Sequence, residues 1–141
     1  MALAIKKVDV WTTDITDRPG SLSAKLEPLA AAGVDLGFLL ARRRPEKKGA
    51  GVAFITGIAN PKQAKAAKSA GWKKATDKGA LRLDGANKPG AANAALSRVA
   101  AAGISLRGAS AMTIGPKFSL LLAFDSPAEA AKAQRALARK K

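Results

Sequence analysis

The 141-residue chain contains neither histidine nor cysteine, so Ser–His and Cys–His nucleophile pairs and the usual zinc ligand sets cannot be assembled. Its ten carboxylates do not fall at metal-ligand spacing. Lysine is the remaining base, but Lys62, Lys65 and Lys68 recur as a solvated helix face does. Gly49-Ala50-Gly51 leads into a strand-like segment, whereas a phosphate or dinucleotide loop must open a helix; it reads as a hairpin turn. The chain is therefore expected to be no enzyme and to need no metal or cofactor, which leaves binding.

Charge suggests one class of partner. Twenty-five Lys and Arg against ten Asp and Glu give +15, a balance that favours polyanions without specifying a fold. The densest run, Arg42-Arg43-Arg44-Pro45-Glu46-Lys47-Lys48, is expected in a hairpin loop, where Arg42, Arg43, Arg44, Lys47 and Lys48 can hold phosphates nonspecifically. Sequence-specific nucleic-acid modules of comparable topology stack bases on sheet aromatics. This chain has four Phe, two Trp and no Tyr, and Phe54, Phe118 and Phe124 read as core. Nucleic-acid binding is thus the alternative reading, with a protein-interaction module as a third.

The elements follow from periodicity and from an internal repeat. Asp14 to Gly20 recurs seventy positions on as Asp84 to Gly90, with Leu26 matching Leu96 and Ala30-Ala31-Ala32-Gly33 matching Ala100-Ala101-Ala102-Gly103. In the first copy Val8, Val10 and Thr12 alternate as a strand, and the turn at Asp17-Arg18-Pro19-Gly20 ends it. A helix from Pro19 to the C-capping Gly33 follows, interrupted by Pro28. Val34 to Leu40 forms a second strand, and Val52, Phe54, Thr56 and Ile58 the inward face of a third. Asn60-Pro61 opens a second helix, and Trp72 to Thr76 is a short fourth strand. The fold class is α+β: two ferredoxin-like βαββαβ modules in tandem, each an antiparallel sheet with its helices on one face.

The second copy repeats the order, and Ser126-Pro127-Ala128-Glu129 has capping-box spacing at its last helix. Its hairpin is shorter, because Pro61 matches Pro127 at an offset of 66. The expected boundaries are 1–77 and 78–141, with the last strand of the second module missing. An open edge of that kind calls for cover, from a partner chain or a lengthened segment around Trp72 to Leu83, and a homodimer is expected. Val34 to Leu40 and Ser105 to Met112 are expected as neighbouring edge strands of one extended sheet. No apolar run approaches the ~18 residues that span a bilayer, and Met1 to Lys7 places its apolar residues before its charges, the reverse of a secretory signal. A cytoplasmic, membrane-free protein is expected.

Asp17-Arg18-Pro19-Gly20-Ser21-Leu22, a helix ending in Ala-Ala-Gly, and then Val34-Asp35-Leu36 resemble the opening of an ACT domain, the small regulatory module that senses amino acids. The second copy resembles it too, with Asn87 in place of the acid and Ala92 in place of the leucine. Nearly the whole chain is similar to free-standing tandem-ACT proteins. The resemblance implies paired modules with a free amino acid held where the turn before one first helix faces a partner's second strand. By motif position the ligand-binding residues are Asp17, Gly20 and Asp35 in the first copy and Asn87, Gly90 and Ser105 in the second. A helix N-terminus suits the ligand carboxylate, and Asp or Asn its ammonium. Asp17 and Asn87 have a plainer reading as N-caps of the following helices, and Asp35 and Ser105 as exposed strand residues.

Overall fold

The computed structural model describes residues 3–139. Met1, Ala2, Lys140 and Lys141, on which the leader reading and the reading of the chain's end partly depend, lie outside them. The elements are β1 (Ala4–Lys7), β2 (Trp11–Thr16), α1 (Ser21–Ala31), β3 (Phe38–Arg43), β4 (Ala50–Thr56), α2 (Pro61–Ser69), β5 (Lys73–Lys74), β6 (Gly79–Ala86), α3 (Ala91–Ala101), β7 (Gly108–Ile114), β8 (Lys117–Phe124) and α4 (Pro127–Ala138). They form two compact units, one being Asp9–Ala75 and the other the chain up to Val8 together with everything from Thr76 onward. The sheets run β3-β4-β2-β5 and β1-β6-β8-β7, with every pairing antiparallel.

The second module is not short of a strand. Its fourth strand is β1, whose Ala4 to Lys7 pair with Asp84 to Leu81 of β6, the place that β5 holds beside β2 in the first unit. The edge that motivated a dimer is thus covered by this chain's own beginning, and the division departs from 1–77 and 78–141. The alternation through Val8, Val10 and Thr12 conceals a handover between sheets: the Val8 N–H donates to Ala80 O, whereas Val10 O accepts from Ala75 N–H. A period of two identifies extended backbone but not the sheet that receives it. β3 and β7 are each an edge of the four-stranded sheet of their own unit.

Each unit has its own core. In the first, Trp11, Leu29, Ala53, Ile55, Ala67 and Trp72 pack together. The inward face of β4 is therefore Ala53 and Ile55, not Val52, Phe54 and Thr56, which point to the sheet's other face. Two tryptophans fill the volume that small β4 residues leave, and the indole N–H of Trp72 donates to Lys25 O at 3.1 Å. The second core is aliphatic and phenylalanine-rich, around Leu81, Leu83, Leu120, Leu122 and Phe124, with Leu3 and Ile5 packed against it.

Both first helices start two residues later than expected. Pro19 and Pro89 lie in the turns, and the N-caps are Gly20 and Gly90. Both helices end on a left-handed glycine, Gly33 and Gly103, with Val34 N–H donating to Leu29 O and Ile104 N–H to Val99 O. At α2 the Asn60 cap accepts from Gln63 N–H, and the Gln63 side chain returns to Ala59 N–H. At α4 the Ser126 hydroxyl accepts from Glu129 N–H, but Glu129 Oε2 is buried without a partner, so only the hydroxyl half of that box forms.

Candidate functional site

The two β–α corners are built alike. In the first, Asp17 N–H donates to Gly49 O at 2.9 Å, and Thr16 N–H donates to the Ser21 hydroxyl at 3.1 Å. In the second, Asn87 N–H donates to Pro116 O at 2.9 Å. Gly20 and Gly90 take φ of 81° and 84°, a left-handed conformation that glycine adopts without the steric cost of a Cβ. A Cβ built on either meets nothing within 4 Å, so the space in front of both turns is open. Behind each turn a helix begins whose second and third amides, Leu22 and Ser23 or Ala92 and Asn93, have no intrahelical acceptor. Such amides, with the positive end of the helix dipole, attract a carboxylate.

Neither corner uses its polar side chain as a cap. No side-chain bond caps α1 or α3, which removes the N-cap reading of Asp17 and Asn87. Instead Asp17 Oδ2 lies 2.8 Å from Arg43 Nε on β3. The pair lines a cleft of about 300 Å³ together with Gly20, Ser21, Leu22 and Arg42. The cleft so combines helix amides, a glycine turn, a carboxylate and guanidinium groups, a set able to hold a group carrying both charges.

Asp35 and Ser105 are not brought to these corners within their own units. Both are exposed, in the segments that lead into β3 and β7. The full length of β3 separates Asp35 from Arg43, and β7 likewise separates Ser105 from Pro116 beside Asn87. Gly57 passes so close to Asp35 O that no Cβ fits, which holds this approach segment to the end of β4.

Sequence reasoning grouped Arg43 with loop cations and missed its place in the cleft. Arg42 and Arg43 belong to β3, and only Arg44, Lys47 and Lys48 of that set lie in the loop. The signal was present as register: Arg43 opposes Gly51, on the sheet face shared with Ala41 and Ala53.

The paired acids Asp14 and Asp84 show how loop length redirects equivalent residues. Asp14 Oδ1 accepts from Arg44 Nη2 at 2.7 Å. The second hairpin shrinks to Gly115-Pro116 and has no such arginine, and Asp84 is held instead by Arg82 of its own strand at 3.0 and 3.3 Å. Burial pushes the Asp84 carboxyl up, but the Ser119 hydroxyl opposite and the Arg82 guanidinium outweigh it and hold it below the usual value. Among the described residues no cluster of three His, Cys, Asp or Glu is placed to hold a metal ion, and no helix is long and apolar enough to cross a membrane. Phe118 and Phe124 are core, while Phe54 lies half-buried on the face away from the helices.

The sequence matches no protein-family model and no curated protein. Solved structures do match. The regulatory subunit of aspartate kinase from Thermus thermophilus, in a ligand-free form, is similar with a TM-score of 0.66 at 15% identity, over 97% of this chain and 95% of that one. The regulatory subunit of aspartate kinase from Thermus flavus gives 0.66 at 18% identity over the same shares. A protein from Bacteroides thetaiotaomicron gives 0.72 at 16% identity, over 93% of this chain and 88% of that one. The likeness establishes the fold: two four-stranded antiparallel sheets with their helices, the first unit in the order βαββαβ and the second with β1 as its fourth strand.

Proposed function

We propose that this chain is a non-catalytic, cytoplasmic regulatory protein that binds a free amino acid at its β–α corners. The observation that carries the reading is the first-module cleft, where the Asp17–Arg43 pair stands beside the open Gly20 turn and the unpaired amides of α1. A zwitterion complements this set: its ammonium meets Asp17, and its carboxylate meets the Leu22 and Ser23 amides and Arg43. Asn87 and Gly90 play the same part in the second module with a neutral amide. Asp35 and Ser105 contribute from the strand edge of a paired module. The aspartate kinase subunits named above are regulatory in their own proteins, which supports a regulatory role here.

The pairing edges are β3 and β7. They carry exposed apolar side chains, Leu39 and Leu40 on one and Met112 and Ile114 on the other, the last two 66% and 69% exposed. Uncovered edges of this kind recruit a partner strand, and a homodimer supplies one. A thermal-shift screen of the twenty amino acids against common nucleotides tests the ligand class, and sedimentation across the micromolar range tests the dimer. An amino acid that raises the melting temperature supports the reading; a response to nucleotides with none to amino acids replaces it.

A further inference from the structure

A second cleft, of about 890 Å³, lies in the first unit between α1 and the β3–β4 loop. Its cationic wall is formed by Arg18, Lys25, Arg44, Lys47 and Lys48, and its acids are Asp14 and Glu46. The acids are already engaged: Arg44 bonds Asp14 at 2.7 Å and Glu46 at 3.5 Å. Lys25 is likewise engaged, its Nζ donating to Ala70 O at 2.9 Å. For Arg18, Lys47 and Lys48 no ion-pair partner occurs among the described residues. With Lys25, whose carbonyl bond leaves its charge in place, four cations without an ion-pair partner therefore line one concavity.

The loop that carries two of them is ordered by its own backbone. Arg44 N–H donates to Ala50 O, Lys47 N–H to Arg44 O and Ala50 N–H to Lys47 O, and Asp17 N–H ties Gly49 to the β–α corner. The Arg44 pairs act as struts on the same segment. Mutual repulsion among cations held in this way is relieved by an anion of matching charge. Ile15, Ala24, Pro28 and Ala70 add apolar surface to the same cleft, interleaved with Lys25. The cleft is broad and open to solvent, with room for a small molecule along its floor. The second module has Gly115-Pro116 in place of the loop, so the feature belongs to the first module alone.

We propose that this cleft binds a small metabolite that joins a polyphosphate to an apolar or planar group, of the nucleoside triphosphate type, with Arg18, Lys47 and Lys48 on the phosphates. The site adjoins the corner cleft, sharing Arg18 and Ser21 with its lining, but the proposal does not rest on the amino-acid reading. Calorimetric titration of the full chain with ATP at 150 mM NaCl is expected to give saturable one-to-one binding, with inorganic tripolyphosphate as competitor. The double variant Lys47→Ala/Lys48→Ala, and separately Arg18→Gln, should each weaken ATP at least tenfold. Lys62→Ala/Lys65→Ala, which removes the same charge from α2, should change it less than twofold. Equal losses from the α2 variant would reduce the effect to general charge attraction and overturn the site. So would absence of one-to-one ATP binding, or binding of a 20-nucleotide single-stranded RNA that ATP does not displace.

Discussion

The Asp17 carboxylate and the Arg43 guanidinium lie 2.8 Å apart on the wall of the first-module cleft. Arg43 is largely exposed and Asp17 partly so, and a pair of this kind contributes about 0.2–1 kcal/mol to stability. Its cost to a ligand is correspondingly small. A zwitterion that inserts its own two charges exchanges one weak ion pair for two, and the α1 amides add charge-assisted bonds.

Asp17→Asn and Asn87→Ala should leave the melting temperature of the free protein nearly unchanged, because neither side chain caps a helix. A lost cap costs about 1 kcal/mol, so a destabilisation of that size in Asn87→Ala would restore the cap role. Both substitutions should weaken ligand binding, measured by calorimetry on the same preparations.

Gly90→Ala should cost about 1–2 kcal/mol from backbone strain at φ 84° alone, since its Cβ meets open space. Gly57→Ala should cost more. Its φ is 122° and its Cβ has no room beside Asp35 O, so strain and collision add. Chemical denaturation of the two variants checks the order.

Ile5→Asp should destabilise the second unit selectively. Ile5 packs, partly buried, on the second core from β1, and a carboxylate there loses that apolar contact and is driven toward solvent, which pulls β1 from β6. Both tryptophans, Trp11 and Trp72, belong to the first core, so their fluorescence reports on that unit alone. The expected result is an early circular-dichroism transition with an unchanged fluorescence transition.

Acid should weaken the second unit through Asp84. Its folded pKa lies below the ordinary aspartate value, so the carboxylate contributes stability above that value and loses it as pH falls through the folded pKa. Asp84→Asn should flatten the stability profile below about pH 4, followed by circular dichroism of urea melts.

Much of this architecture was legible because local chemistry and global order agree. The Pro-Gly turns, the glycine C-caps and the Asn60 and Ser126 caps each mark an element end through interactions within a few residues. What escaped the sequence is non-local. Nothing in Ala4-Ile5-Lys6-Lys7 says that it pairs with Arg82 and its neighbours rather than continuing toward Trp11, because extended segments do not encode their partner. The inward face of β4 was misread because Ala53 and Ile55 are smaller together than Val52 and Phe54, and the two tryptophans that fill the difference come from β2 and the α2–β5 connection. At the corners, the residue types were visible, but the Arg43 partner depends on strand register.

The most direct test is calorimetric titration of the wild-type chain and Asp17→Asn with each of the twenty amino acids at physiological salt. The account predicts saturable binding of at least one amino acid by the wild type, and at least tenfold weaker affinity at the first site in the variant. At 100 times the dissociation constant, that ligand should stabilise the fold by about 2.7 kcal/mol per site. No heat from any amino acid at millimolar concentration, or affinity unchanged by Asp17→Asn, would contradict it.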